Sequence, residues 1–211
     1  MSLGAVVWVT GRPASGKSTL AARIASALRA RGACAVILDG DAVRAALSPA
    51  PGYGPKARER FYATLGALAA LVARQGPVVL VPATANLRRY RDAARALAPR
   101  FIEIFVDVDP RTCAERDPKG LYALARRGGA KSLPGAGAPY EEPESPDVVA
   151  RGGRDRRAIT EAVRAISGSA GGRGPRRKRG AVSDGPARRP LRGHRRAPMF
   201  RPPHWPRSSV G

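Results

Sequence analysis

Residues Gly11 to Thr19 read GRPASGKST; the apolar run Ala5-Val6-Val7-Trp8-Val9 stands before them and a segment with helical apolar spacing follows. This strand, glycine-rich loop and helix make the P-loop pattern G-x-x-x-x-G-K-[ST]. Gly11 and Gly16 let backbone N–H groups turn inward around a phosphate chain without a Cβ in the way. Lys17 is expected to reach the β and γ phosphates, and Ser18 to offer its hydroxyl to Mg²⁺. The helix N-terminus adds a positive dipole end at the same point. The nucleotide site is therefore expected to comprise Gly11, Arg12, Pro13, Ala14, Ser15, Gly16, Lys17, Ser18 and Thr19.

Outward from that loop, β-rich runs alternate with helix-period segments. The runs are Ala5 to Thr10, Ala33 to Leu38, Val78 to Pro82 and Phe101 to Val108, with a weak fifth at Val148-Val149. Leu20, Ile24 and Leu28 mark a helix closed by Gly32; Phe61, Leu65, Leu68 and Val72 mark a second; Leu87, Tyr90, Ala94 and Leu97 mark a third. Asp155 to Ile166 reads as a closing helix. This alternation predicts an α/β fold, a parallel sheet with helices on both faces in three layers.

The net charge of +22 divides unevenly in density. Residues 167–211 hold 12 of the 38 basic residues and one acid, Asp184, a net +11; the first 166 residues carry the other +11. The last segment is built from Arg, Pro, Gly and Ala with no apolar period, so it is expected to be a disordered tail after a domain over 1–166. The tail reads as a solvated segment with weak polyanion affinity or as a fortuitous extension; nucleic acid is expected to bind weakly through it if at all. Both histidines, His194 and His204, lie there, which leaves the core without a histidine base or ligand. Cys34 and Cys113 are expected to be buried thiols of a reducing compartment. No run of about 18 apolar residues and no basic leader is present, so no membrane partner and a cytoplasmic location are expected.

Two carboxylates, Asp39 and Asp41, fall where the second strand ends, at the sheet edge where ligands of such folds gather. Asp39 is expected to hold a Mg²⁺ water or accept a proton from an attacking hydroxyl, and Asp41 to contact substrate or cap the next helix. Further on, Arg116, Lys119, Arg126, Arg127 and Lys131 cluster around Gly120, Gly128 and Gly129, a cationic segment suited to closing over anions.

From Cys113 the chain reads CAERDPKGLYALARRG, and from Pro139 it reads PYEEPESP. Together with the P-loop and Leu38-Asp39-Gly40-Asp41-Ala42-Val43-Arg44, these segments resemble the adenylylsulfate kinase family over about residues 5 to 150. The resemblance implies a P-loop kinase that moves the γ-phosphate of ATP to the 3′-hydroxyl of adenylyl sulfate, in sulfate assimilation. It also implies a lid with Arg116 and Lys119 near bound nucleotide, catalytic Lys17 and Asp39, and metal held by Ser18 and Asp39. Asp41, Arg44, Arg58, Arg88 and Lys119 stand as substrate-binding candidates. The partners expected are ATP, Mg²⁺, adenylyl sulfate and a second copy in a homodimer.

The family's D-R-x-x-N-I-R-R is replaced here by Ala57 to Thr64 with only Arg58 kept, its S-P-Y-R by Ala85-Asn86-Leu87-Arg88, and its F-T-G-I-D by Leu133 to Gly137. The ATP half is thus intact and the acceptor half altered. A kinase of another small hydroxyl compound, and an inactive nucleotide-binding domain with a polyanion-binding tail, are the alternative readings.

Overall fold

The strand β1 (Ala5–Gly11) is buried at every residue, as a central strand of a parallel sheet must be, and its side chains alternate between two cores. A computed structural model describes residues 4–118, 120–127, 133–135 and 137–168. Around β1 stand β2 (Ala35–Ile37), β3 (Val78–Pro82), β4 (Phe101–Val106) and β5 (Val148–Ala150), all parallel in the order β2-β3-β1-β4-β5. Val7 lies in register with Leu80 on one side and Ile102 on the other.

On one face Val7 and Val9 pack with Leu20 and Ile24 of α1 (Lys17–Arg29) and Val163 of α7 (Arg156–Gly168). On the other, Val6 and Trp8 meet Phe61 and Leu65 of α3 (Pro55–Ala73) and Tyr90 of α4 (Arg88–Leu97). Short helices α2 (Gly40–Ala46), α5 (Pro110–Arg116) and α6 (Leu121–Arg126) sit in the connections. The result is the expected three-layer α/β arrangement of five parallel strands and, among the described residues, seven helices.

Several local expectations change. The second strand is half as long as its apolar run, because only Ala35 to Ile37 pair with β3. Cys113 is buried as expected, but Cys34 is exposed, since it lies ahead of that short edge strand. Leu68 and Leu97 point outward, while Ala69 and Ala73 of α3 and Ala94 of α4 are buried beside Phe61, Leu65 and Tyr90. The weak run at Val148 is a true edge strand extending to Ala150. Helix α1 ends with Gly32 at φ 79° while Ala33 N–H donates to the Leu28 carbonyl, which satisfies the helix end. The closing helix runs to Gly168, and the rest of the expected tail, 169–211, lies outside the described residues. No helix among the described residues is long and apolar enough to cross a membrane.

One charged group sits deep in the second core. Arg91 of α4 donates from Nε to Glu103 Oε1 on β4 (2.8 Å), and Arg95 reaches Oε2 of the same carboxylate (2.7 Å). Burying a charge is costly unless it is paired and hydrogen-bonded, and this guanidinium also donates to the carbonyls of Ala85 (2.6 Å) and Glu141 (2.8 Å). It thereby joins the β3–α4 turn to the segment that precedes β5.

Candidate active site

The loop between β1 and α1 turns through left-handed geometry at Gly11 (φ 154°), Ala14 (φ 63°) and Gly16 (φ 97°). A Cβ at Gly11 would lie 2.7 Å from both Ser15 Oγ and the Val106 carbonyl, and one at Gly16 would lie 2.7 Å from Gly153 N. Only glycine fits either place. The loop curls so tightly that Lys17 Nζ donates back to the Arg12 carbonyl across 2.8 Å. Ser15 Oγ is fully buried inside the curl with no hydrogen-bond partner among the described residues.

Beside the loop, Ser18 Oγ donates to Asp39 Oδ2 at 2.6 Å, joining the first turn of α1 to the end of β2. Asp39 also caps α2, with Oδ1 accepting from the N–H groups of Asp41 (2.9 Å) and Ala42 (3.3 Å). This corrects the expected division of labour. The cap is Asp39 and not Asp41; Asp41 lies one residue inside the helix and faces the cleft.

The cleft above these residues has a volume of about 1190 Å³. Its lining includes Pro13, Ala14 and Gly16 to Thr19 of the phosphate loop, Asp39, Gly40 and Asp41 after β2, Arg44, Tyr53, Arg58, Phe61 and Tyr62, and Arg116 and Pro118.

Arg44 and Arg58 are each held by the protein's own acceptors. Arg44 donates through Nη1 to the carbonyls of Pro51 (2.9 Å) and Gly52 (2.8 Å), with its guanidinium 3.7 Å from the Phe61 ring centre and 4.6 Å from that of Tyr53. Arg58 donates to the Tyr53 carbonyl (2.7 Å) and to Asn86 Oδ1 (3.2 Å). Burial raises the pKa of the Tyr62 phenol beside them above its ordinary value.

Other expected residues stand elsewhere. Arg12 offers its carbonyl to Lys17, but its guanidinium pairs with Glu142 (2.9 Å) and lies over the Tyr140 ring. Arg88 is outside the cleft lining: its side chain donates to the Glu142 carbonyl (2.8 Å) and pairs with Glu144. Lys119, Lys131, Gly128 and Gly129 lie outside the described residues. From the expected lid, Tyr122 donates its hydroxyl to the Pro13 carbonyl (3.2 Å), and burial pushes its phenol up to about 12.

The reading of the sequence missed two parts of the wall. One is Tyr53, an aromatic set between Gly52 and Gly54 in a connecting loop and 59% exposed at the cleft. The other is Arg151 to Asp155, the turn after β5, which approaches Gly16 through Gly153. The Gly152-Gly153 pair after an edge strand was the available signal.

The oxygen chemistry fits a nucleotide with a hard cation. Ser18 and Asp39 present two adjacent oxygens, and no group of three or more potential metal ligands occurs among the described residues. Magnesium is commonly held by one or two protein oxygens together with phosphate and water, so this pair suffices for its protein side.

Comparison with known proteins agrees with this geometry. The family model described as "Adenylylsulphate kinase" matches residues 3–151. An adenylyl-sulfate kinase of Synechococcus sp. (strain JA-2-3B'a(2-13)) is 40% identical over 148 residues, covering 70% of this chain and 85% of that protein. A probable bifunctional SAT/APS kinase 2 of Sorangium cellulosum is 42% identical over 152 residues, which is 72% of this chain but only 26% of that longer protein. The structure of the Mycobacterium tuberculosis APS kinase CysC in complex with AMPPNP and APS superposes with a TM-score of 0.70 at 35% identity, covering 79% of this chain and 96% of that one. With its P-loop, its cleft and its match over most of the described residues, the chain belongs to the adenylylsulphate kinase family.

Proposed function

We propose that the chain transfers the γ-phosphoryl group of ATP to the 3′-hydroxyl of adenylyl sulfate, giving 3′-phosphoadenylyl sulfate and ADP. The observation that carries this reading is one cleft lined by a phosphate loop, by the Ser18–Asp39 pair, and by two arginines held on the protein's own acceptors, Arg44 also lying over the Phe61 and Tyr53 rings. That lining suits two anionic nucleotides in one cleft.

In this reading the loop N–H groups and Lys17 hold the triphosphate. The Lys17 ammonium exchanges the Arg12 carbonyl for phosphate oxygens and stays with the charge as it spreads in the transition state. Ser18 and Asp39 would hold Mg²⁺, which neutralises phosphate charge when bound. Asp39, fixed by its cap on α2, is in this reading also the carboxylate that takes the proton from the attacking hydroxyl. Arg44 and Arg58 take the acceptor's anionic group, and because both are already hydrogen-bonded they lose little freedom in doing so. Arg116, the last residue of α5 and part of the cleft lining, is assigned to the nucleotide. Tyr122 ties α6 to the phosphate loop through the Pro13 carbonyl.

ADP release measured with adenylyl sulfate beside a panel of nucleosides, sugars and amino-alcohols tests the reading. Adenylyl sulfate is expected to be turned over fastest. Turnover of another hydroxyl compound, with only background ATP hydrolysis on adenylyl sulfate, would keep the kinase and discard this acceptor.

A further inference from the structure

Asn86 sits 4% exposed at the end of the turn after β3, and both ends of its side-chain amide are engaged. Its Oδ1 accepts from Arg58 Nη1 (3.2 Å), its Nδ2 donates to the Pro139 carbonyl (2.8 Å), and its own carbonyl accepts from Glu141 N–H (2.8 Å). The residue before it, Ala85, is fully buried at φ 37°, in left-handed geometry that an alanine rarely takes. Arg91 holds that turn by donating to the Ala85 carbonyl from inside the core. The turn is thus fastened so that one amide faces Arg58 and the segment from Pro139 together.

Arg58 is the side chain in question because it lines the cleft. Its Nε is fixed by the Tyr53 carbonyl and its Nη1 by Asn86. Two fixed points on a planar guanidinium set the direction of all its N–H groups. The neutral amide does this without cancelling the charge, whereas a carboxylate in the same place would compete with an incoming anion.

We propose that Asn86 is a positioning residue for the acceptor's anionic group, acting through Arg58 and not by touching the reacting atoms. It makes the acceptor end of the cleft sensitive to the Pro139–Glu142 segment, while that segment reaches the phosphate loop by a separate contact, Arg12 with Glu142. Loss of the amide is therefore expected to separate the two substrates.

The inference rests on the adenylyl sulfate reading, and its test keeps the two apart. In steady-state kinetics on the full chain, Asn86→Ala is expected to raise KM for adenylyl sulfate about tenfold, with kcat changed less and KM for ATP within about twofold. Asn86→Asp keeps an oxygen toward Arg58 and adds a negative charge, so it is expected to raise the acceptor KM further, again with ATP spared. If Asn86→Ala does not fold, Asn86→Asp decides alone. An acceptor KM within twofold of wild type, or equal rises for ATP and acceptor, would overturn the positioning role. If the wild-type chain neither binds nor turns over adenylyl sulfate, the function reading falls. The role of Asn86 is then read from calorimetric binding of inorganic sulfate to the ADP-saturated protein: loss in both variants supports it, and unchanged affinity overturns it.

Discussion

Ser18 and Asp39 share a 2.6 Å hydrogen bond across the sheet edge, and the other oxygen of the same carboxylate caps α2. One side chain thus fixes a helix and lines the cleft. The two roles can be separated by substitution, because asparagine caps a helix about as well as aspartate does. Asp39→Asn is expected to keep the melting temperature close to wild type while kcat falls about 100-fold or more. Asp39→Ala is expected to lose the same activity and about 1 kcal/mol of stability besides. Comparing thermal melts and single-turnover rates of the two variants checks this; an active Asp39→Asn would leave Asp39 with the cap alone.

Lys17 donates to the Arg12 carbonyl at the loop surface, not into either core. Lys17→Ala is therefore expected to fold normally and to lose phosphoryl transfer by a factor on the order of 100 to 1000, through charge stabilisation at the transferring group. Calorimetric binding of ATP, with the rate of ADP formation, reports both effects. Near-wild-type turnover by the purified variant would remove Lys17 from the mechanism.

Asp155 sits at the start of α7, accepting from the N–H groups of Arg151 (2.9 Å) and Ala158 (3.0 Å). Those backbone donors hold its carboxyl below the ordinary 3.8. A carboxylate lowered in the folded state contributes stability that is complete above its unfolded value and is lost as pH falls through its folded value. Asp155→Ala is accordingly expected to cost about 1 kcal/mol at neutral pH, and the gap should close as pH falls below about 4. Urea melts of both proteins across that range are the measurement; a gap of constant size down to about pH 2 would mean the cap is not electrostatic.

The sequence places a domain boundary near Ile166, and the family match ends at residue 151. A chain ending at Gly168, the last residue of α7, is expected to keep the melting temperature and the ATP-dependent activity of the full chain. Any binding to polyanions should go with residues 169–211 and should weaken steeply with salt, because it would rest on counterion release. A shortened chain that melts markedly lower would show that the boundary lies further on.

Some of this protein was legible because its cause is local. The phosphate loop needs glycines at two turns and a lysine and serine at fixed offsets, and the central strands need continuous apolar runs, so Gly11 to Thr19 and the alternation of strand and helix could be read directly. The sequence offers Asp41 as a substrate contact or as the cap, and because Asp39 has the same chemistry two residues earlier, only the start of α2 tells them apart. The apolar spacing predicts Leu68 inward, yet α3 buries the face that carries Phe61, Leu65, Ala69 and Ala73, and Leu68 lies off it.

The surroundings of Arg58 in the cleft wall are of the other kind. Asn86 and Arg58 are 28 positions apart, and Asn86 and Pro139 are 53 apart. Nothing in the periodicity of any one segment announces such meetings. Arg91 likewise reads as a polar residue on an amphipathic helix, and becomes a buried strut only because Glu103 of β4 lies beneath it. The sequence alone determined the layers and the phosphate loop, through propensities and spacings that act within a few residues. The tertiary structure decided which arginines face the cleft and how they are held, because side chains far apart in the chain meet only when the sheet order brings their turns to one edge.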